Sequence, residues 1–155
     1  GIMEAANKGA YEGSSPSIGL NIELPHEQTS NTWQNISLSF RHFFARKVAF
    51  VKYADAYIVL PGGFGTIDEL SEVLVLIQTG KTQRIPVVLV GTKFWEGLLK
   101  WFKDTLLANG MVESQDLELV QVIDDPKEIV EAIYHFYESR DIVLSETEHP
   151  HQSFL

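Results

Sequence analysis

Residues 56–60 read AYIVL and residues 61–69 read PGGFGTIDE, and these two adjoining segments decide the fold. A short, continuous apolar run such as the first segment is typical of a parallel strand that is covered on both faces. The second segment is rich in glycine and leads into apolar residues at 67, 70, 74 and 77, which is the spacing of one helix face. The sequence here therefore predicts a buried strand, a tight turn and a helix.

The rest of the chain repeats this alternation of strand and helix. Strands alternating with helices indicate βαβ units, whose right-handed crossovers place helices on both faces of a parallel sheet. We therefore predict a Rossmann-like α/β fold, with one domain over residues 1–144 and a polar tail at 145–155. Nothing like a first strand precedes the first helix, so we expect an N-terminal strand to be missing. The other predicted strands are 17–24, 40–44, 86–90 and 117–123, and the other predicted helices are 3–13, 45–54, 94–108 and 126–138.

Composition and charge exclude several classes of function. The 155 residues carry a net charge of −9, which argues against a general nucleic-acid binder and against adhesion to an anionic membrane. The absence of cysteine excludes disulfides and thiolate metal sites, and the five histidines lack metal-binding spacings. No apolar run reaches the roughly 18 residues of a membrane span. We expect a cytoplasmic protein without a bound metal.

The glycine loop, defined as residues 61–65, is the first candidate site. Glycines let the backbone approach a ligand closely and adopt positive φ, and the N–H groups at the start of the next helix suit phosphate. The loop is neither a Walker loop nor the GxGxxG dinucleotide fingerprint. An interpretation without chemistry stays open, because Thr66 and Glu69 have the spacing of a capping box, which only fixes a helix start.

A basic segment before this strand is the second candidate. Residues 28–54 contain no Asp or Glu, although the whole chain is acidic. Arginine is suited to a planar, bidentate contact with phosphate, so the segment favours an anionic small ligand. The alternative is a solvated helix face whose basic side chains cover apolar surface. The segment holds four of the twelve basic residues, namely Arg41, Arg46, Lys47 and Lys52.

Together these residues resemble the LOG (Lonely Guy) family, whose members were long described as possible lysine decarboxylases. Residues 61–69 match the family's PGGxGTxxE motif, residues 1–10 its GIMEAANKGA segment, and residues 43–47 its Arg-Lys element. The resemblance covers residues 1–138. It departs at Val75, where the family often has Thr, and in the absence of the family's first strand and glycine-rich turn.

The resemblance implies a phosphoribohydrolase that acts without a cofactor. Family members hydrolyse the N-glycosidic bond of cytokinin riboside 5′-monophosphates, and often of AMP, to the free base and ribose 5-phosphate. Arg46 and Glu69 would be the catalytic pair, and Glu27, by itself a solvated loop carboxylate, would contact the nucleotide. The chain would form a homodimer or a higher homo-oligomer. The residues that would line the phosphate and sugar site are Lys47, Gly62, Gly63, Phe64, Gly65 and Thr66.

Other functions stay open. A nucleotide-binding module without catalysis would use the same loop, although the presence of both Arg46 and Glu69 disfavours it. A lysine decarboxylase would need pyridoxal phosphate on a lysine, with partners for the ring nitrogen, and no lysine in the sequence shows such surroundings. A purely structural or interaction protein is the third alternative.

Overall fold

A computed structural model describes residues 1–23 and 31–146, and side chains as far as residue 140. The chain divides into two compact units, an N-terminal unit over Gly1–Ala54 and a C-terminal unit that begins at Asp55. Each unit contains one small sheet of parallel strands together with helices. The Rossmann-like α/β fold is thus confirmed, with the described strands divided between two sheets. The single domain over 1–144 and the missing N-terminal strand stay predictions.

The N-terminal unit consists of α1 (Ile2–Glu12), β1 (Ile18–Ile22), β2 (Ile36–Phe40) and α2 (Phe43–Tyr53). The strands are parallel and pair from Ile18 with Ile36 to Ile22 with Phe40. The predicted strand at 40–44 is wrong, because the strand ends where that prediction begins. In β2 the apolar residues 36, 38 and 40 alternate with two serines, which suits a pleated strand, and the aromatic pair at 43 and 44 instead begins α2.

A polar contact fixes α1 to β1. Ser17 is 1% exposed. Its hydroxyl donates to the Asn7 carbonyl at 3.0 Å and accepts from Asn7 Nδ2 at 2.9 Å. Its N–H donates to Asn35 Oδ1 at 2.9 Å. A buried hydroxyl needs such partners, and here they join the helix, the strand and the segment that leads into β2.

The C-terminal unit is a three-stranded parallel sheet with the strand order β3–β4–β5. The predicted helix at 94–108 is confirmed as α4 followed by a π-helical turn at Phe102–Leu107. The predicted strand at 117–123 begins late, since a 3₁₀ turn occupies Ser114–Leu119. α5 continues past its predicted end at 138. The elements are β3 (Tyr57–Val59), α3 (Phe64–Gln78), β4 (Val87–Leu89), α4 (Thr92–Trp101), β5 (Val120–Val122) and α5 (Pro126–Glu146).

The core of the C-terminal unit surrounds β4, all three residues of which are buried. Trp95 of α4 is buried as well, and its indole Nε1 donates to the Val90 carbonyl at 3.0 Å. Packing is therefore the role of this tryptophan. The other buried apolar side chains of the unit's helices are Leu70, Val73 and Ile77 of α3 and Ile129 of α5.

The sheet of the C-terminal unit brings three helix starts to one edge. Since its strands are parallel, the carboxyl ends of β3, β4 and β5 lie on the same side, and each strand is followed along the chain by a helix. Ligands of such sheets bind beyond the carboxyl ends of the strands. Within the part of the chain that the structure describes, no helix is both long and apolar enough to cross a bilayer.

Candidate functional site

The glycine loop joins β3 to α3 and leaves the start of that helix open. α3 begins at Phe64, with Gly63 in the capping position before it. The N–H groups of Thr66 and Ile67 turn back to the Gly63 carbonyl at 3.1 and 3.2 Å. The N–H groups of the first two helical residues have no acceptor within the helix. Among the described residues, no side chain caps this helix start, so it can accept an anion.

The capping-box interpretation of Thr66 and Glu69 is wrong. The residue that caps α3 is Gly63, which places Thr66 third and Glu69 sixth in the helix. A capping box requires its two residues at the capping position and the third helical position. Glu69 is half-buried and lies too far along the helix for that role. The alternative that explained Glu69 without chemistry therefore falls.

The three glycines of the loop differ in how much space surrounds the position that a Cβ would take. A Cβ on Gly62 would lie 2.1 Å from Thr66 Oγ1 and 2.9 Å from Thr66 Cβ, so the threonine side chain already occupies that space. A Cβ on Gly63 or Gly65 would meet nothing within 4 Å. Gly63 has a φ of −95°, and none of the three glycines has a positive φ. The prediction that these glycines serve to adopt positive φ is therefore wrong. The open space over Gly63 and Gly65 would allow a ligand to approach the backbone closely.

Carboxylates accept hydrogen bonds from the N–H groups at the starts of α4 and α5. Asp124 Oδ1 accepts from the N–H groups of Gly91 at 2.7 Å and Thr92 at 3.0 Å, and Oδ2 accepts from the Thr92 hydroxyl at 2.8 Å. Asp125 Oδ1 accepts from the N–H groups of Lys127 at 2.8 Å and Glu128 at 3.1 Å. Of the three helix starts at this edge, α3 is the one without a described carboxylate on it.

The hydrogen bonds at Asp124 also change its acidity. Those from the Gly91 N–H, the Thr92 hydroxyl and the Thr92 N–H hold the pKa of the Asp124 carboxyl below its usual value. The residue therefore stays ionised as the negative partner of the α4 start. The predicted start of α5 at residue 126 is confirmed, whereas Asp124 was not among the predicted site residues. Its partner Gly91 lies 33 positions away in sequence, and no local pattern signals that contact.

The basic segment places two cationic residues in α2, and contacts hold one of them, Arg46. Arg46 is half-buried, its Nε donates to the Leu20 carbonyl of β1 at 2.7 Å, and its guanidinium carbon lies 4.8 Å from the centre of the Phe50 ring. Arg46 and Lys47 are the fourth and fifth residues of α2, whose first turn contains no acidic residue. A cation near a helix N-terminus opposes the helix dipole, and a bound anion would relieve this. Lys52, in contrast, lies in the last turn of α2.

The predicted site residues fall into three groups. The C-terminal unit brings together the glycine loop, Thr66 and Glu69. The N-terminal unit holds Arg46 and Lys47, which are neighbours on α2. Glu27 lies outside the described residues. Among residues 1–23 and 31–146, no group of three or more His, Cys, Asp or Glu side chains could hold a metal ion.

Tyr57 of β3 is a half-buried polar side chain of the C-terminal unit that the sequence did not signal. Burial, and to a lesser extent the charge of Glu72, raises the pKa of Tyr57 to about 12. Tyr57 begins β3 and Glu72 lies one turn after Glu69 on α3.

We expect Tyr57 to make stability depend on pH in alkali. Its phenol has a pKa of about 12 in the folded protein and about 10 in an unfolded chain, so the unfolded state loses the proton first. This contribution to stability is complete below about pH 10 and is lost as the pH rises towards 12. Phenolate absorbance and thermal midpoints of the wild type and Tyr57→Phe check this. If Tyr57 titrates near pH 10, the ordinary value for a tyrosine, the burial argument is wrong.

Comparisons with known proteins give a family match and several relatives. A family model described as "Possible lysine decarboxylase" matches residues 3–133. The chain is 27% identical over 148 residues to a protein of Oryza sativa subsp. japonica named "Probable cytokinin riboside 5′-monophosphate phosphoribohydrolase LOGL2", covering 94% of this chain and 59% of the relative. It is 28% identical over 138 residues to "Cytokinin riboside 5′-monophosphate phosphoribohydrolase LOG3" of Arabidopsis thaliana, covering 88% and 63%. The chain thus spans about three fifths of the length of these curated relatives.

Proposed function

The chain belongs to the LOG family, whose model is described as "Possible lysine decarboxylase", and from this premise we propose that it is a phosphoribohydrolase. Its substrate is a nucleoside 5′-monophosphate, either a cytokinin riboside 5′-monophosphate, as in the names of the relatives, or AMP. Water replaces the base at C1′ of the ribose, the C1′–N bond breaks, and the base leaves with a proton. The products are the free base and ribose 5-phosphate.

The observation that carries this proposal is the open start of α3. Of the three helix starts at the carboxyl edge of the C-terminal sheet, two are occupied by the carboxylates of Asp124 and Asp125. The third follows the glycine loop, has no described capping side chain, and has free space over Gly63 and Gly65. A 5′-phosphate at this position would accept hydrogen bonds from the first N–H groups of the helix and interact favourably with its dipole.

Glu69 is assigned to the developing positive charge on the sugar. Cleavage of a glycosidic bond builds an oxocarbenium-like positive charge near C1′. A carboxylate can stabilise this charge, or it can orient the water molecule that attacks C1′. Glu69 lies one turn beyond Thr66 on α3, and the helix start that receives the phosphate belongs to the same helix. Since capping does not explain this glutamate, its position supports a catalytic role.

Arg46 and Lys47 are assigned to the substrate as well. Arg46 would hold the nucleotide and assist the departure of the base, and Lys47 would contribute to binding the phosphate and sugar. The hydrogen bond to Leu20 and the ring of Phe50 restrict the Arg46 side chain, so its guanidinium is oriented before substrate arrives. Glu27 would contact the nucleotide. We also propose that the protein is cytoplasmic and that it forms a homodimer or a higher homo-oligomer. Sedimentation of the purified protein would test the oligomeric state.

The proposal predicts that the 5′-phosphate is needed for fast hydrolysis. We expect AMP to release adenine and ribose 5-phosphate with kcat/KM at least ~100-fold above adenosine, since two charge-assisted hydrogen bonds at about 1.5 kcal/mol each give that factor. Binding energy from the non-reacting phosphate is used in the transition state. Chromatography of the products measures both reactions. Comparable rates for AMP and adenosine would exclude the glycine loop as the phosphate site, and binding of AMP without turnover would favour a non-catalytic nucleotide-binding module.

A further inference from the structure

The glycine loop rests against the start of α4. Gly91, which precedes α4, has a left-handed φ of +100°. A Cβ on Gly91 would lie 3.1 Å from Pro61 Cγ and 3.6 Å from Pro61 Cδ. The Gly91 backbone therefore packs on the proline ring that opens the glycine loop. This contact fixes one side of the loop, and a Cβ on residue 91 would be in tight contact with the proline ring.

Asp124 in turn holds Gly91 in place. Oδ1 accepts from the Gly91 N–H at 2.7 Å and the Thr92 N–H at 3.0 Å, while Oδ2 accepts from the Thr92 hydroxyl at 2.8 Å. Both carboxylate oxygens are thus engaged by two successive residues. Asp124 follows β5 at the same edge of the sheet, where the Ile123 N–H donates to the Leu89 carbonyl at 3.1 Å. The contacts are continuous from the end of β5 to the glycine loop.

On the premise of the proposed function, we infer that Asp124 is a positioning residue for the phosphate-binding loop and acts through Gly91 and Pro61. Loss of the carboxylate frees the Gly91 backbone, and the surface on which the Pro61 ring packs then moves. The first N–H groups of α3 lie two residues beyond the adjoining Gly62, so their direction depends on where Pro61 sits. Displacements on the scale of an ångström at a binding group are sufficient to lower affinity and rate.

Ordinary helix capping is the competing explanation, and the chain supplies a matched control for it. Asp125 is the adjacent residue and caps α5 by the same kind of hydrogen bonds, at 2.8 and 3.1 Å. Asp125→Ala removes a helix cap without removing the hydrogen bond to Gly91. Any effect of capping as such should therefore appear in both variants, whereas an effect on the glycine loop should appear in Asp124→Ala alone.

The experiment compares Asp124→Ala, Asp124→Asn and Asp125→Ala with the wild-type chain. The backbone amide signals of Gly62, Gly63 and Gly65 in ¹H–¹⁵N spectra report the loop, and steady-state kinetics report the substrate. We expect Asp124→Ala to shift these signals and to raise KM for AMP about tenfold, with a smaller change in kcat. Asp124→Asn keeps one acceptor oxygen for the two N–H groups and should return both measurements close to wild type. Asp125→Ala should leave both unchanged.

Two results would overturn the inference. The first is unchanged glycine signals in Asp124→Ala, which exclude the link to the loop whether or not the protein hydrolyses AMP. The second is an equal rise of KM in both alanine variants, which assigns the effect to capping. Should Asp124→Ala not fold, Thr92→Val removes the hydroxyl bond alone and should shift the same glycine signals to a smaller extent. A wild-type chain that does not hydrolyse AMP contradicts the proposed function, and the glycine signals then decide the inference by themselves.

Discussion

Glu69→Gln should lower kcat for AMP hydrolysis by ~10²–10⁴-fold, the range for loss of a catalytic acid–base group or of a preorganised charge. The amide keeps the size and the hydrogen-bonding capacity of the carboxylate but carries no negative charge for the oxocarbenium-like transition state. The affinity for AMP should change little, because the proposal assigns the phosphate to the helix start and not to Glu69. Product release measured by chromatography gives kcat, and calorimetric titration gives the AMP affinity.

Asp68→Asn is the matched control for this variant. It removes the same charge from the neighbouring residue of α3, at an exposed position that the PGGxGTxxE motif leaves unspecified. We expect Asp68→Asn to keep kcat within about threefold of wild type, since surface charges away from the reacting atoms have small effects. Equal loss of activity in both variants would show that Glu69 contributes only through the overall charge of the helix. Full activity of Glu69→Gln would exclude it as the catalytic carboxylate.

The strand, loop and helix over residues 56–78 could be predicted because each has a strong local signal. The apolar run predicted β3 to within a residue or two, and the helical spacing of the apolar residues after it predicted α3. The prediction placed β2 too late in the sequence. Its alternation of apolar residues with two serines is short, and the aromatic residues that follow it suit a strand equally well. Pairing with another strand, here β1, rather than local preference, separates such cases.

The start of α3 shows why the candidate site could be predicted only in part. Glycine and threonine are both accepted at a helix capping position, so Gly63 and Thr66 were equivalent choices on the sequence. The structure begins the helix three residues earlier than a threonine cap would, with Gly65 inside the first turn. Contacts between distant residues, such as Asp124 with Gly91, depend on the sheet order and lie outside any local pattern.

Gly65→Ala should separate the stability of the protein from its activity. Gly65 is the second residue of α3, its φ is not positive, and a Cβ there meets nothing within 4 Å. Replacing such a helical glycine with alanine reduces the entropy of the unfolded chain and should raise the free energy of unfolding by about 0.4–1 kcal/mol. The added methyl group nevertheless stands at the helix start where the phosphate is proposed to bind. Loss of one hydrogen bond of about 1.4 kcal/mol would raise KM for AMP about tenfold.

Gly97→Ala provides the control, because Gly97 also lies within a helix, is exposed, and has open space where a Cβ would point. It should gain similar stability in chemical denaturation and keep the wild-type KM. Gly62→Ala is the opposite case, since its Cβ would collide with Thr66 and should destabilise the loop itself. If Gly65→Ala is more stable and binds AMP as the wild type does, the first turn of α3 does not hold the phosphate. A stabilised protein with weakened AMP binding would show that Gly65 is retained for a ligand, since the fold alone would accept alanine.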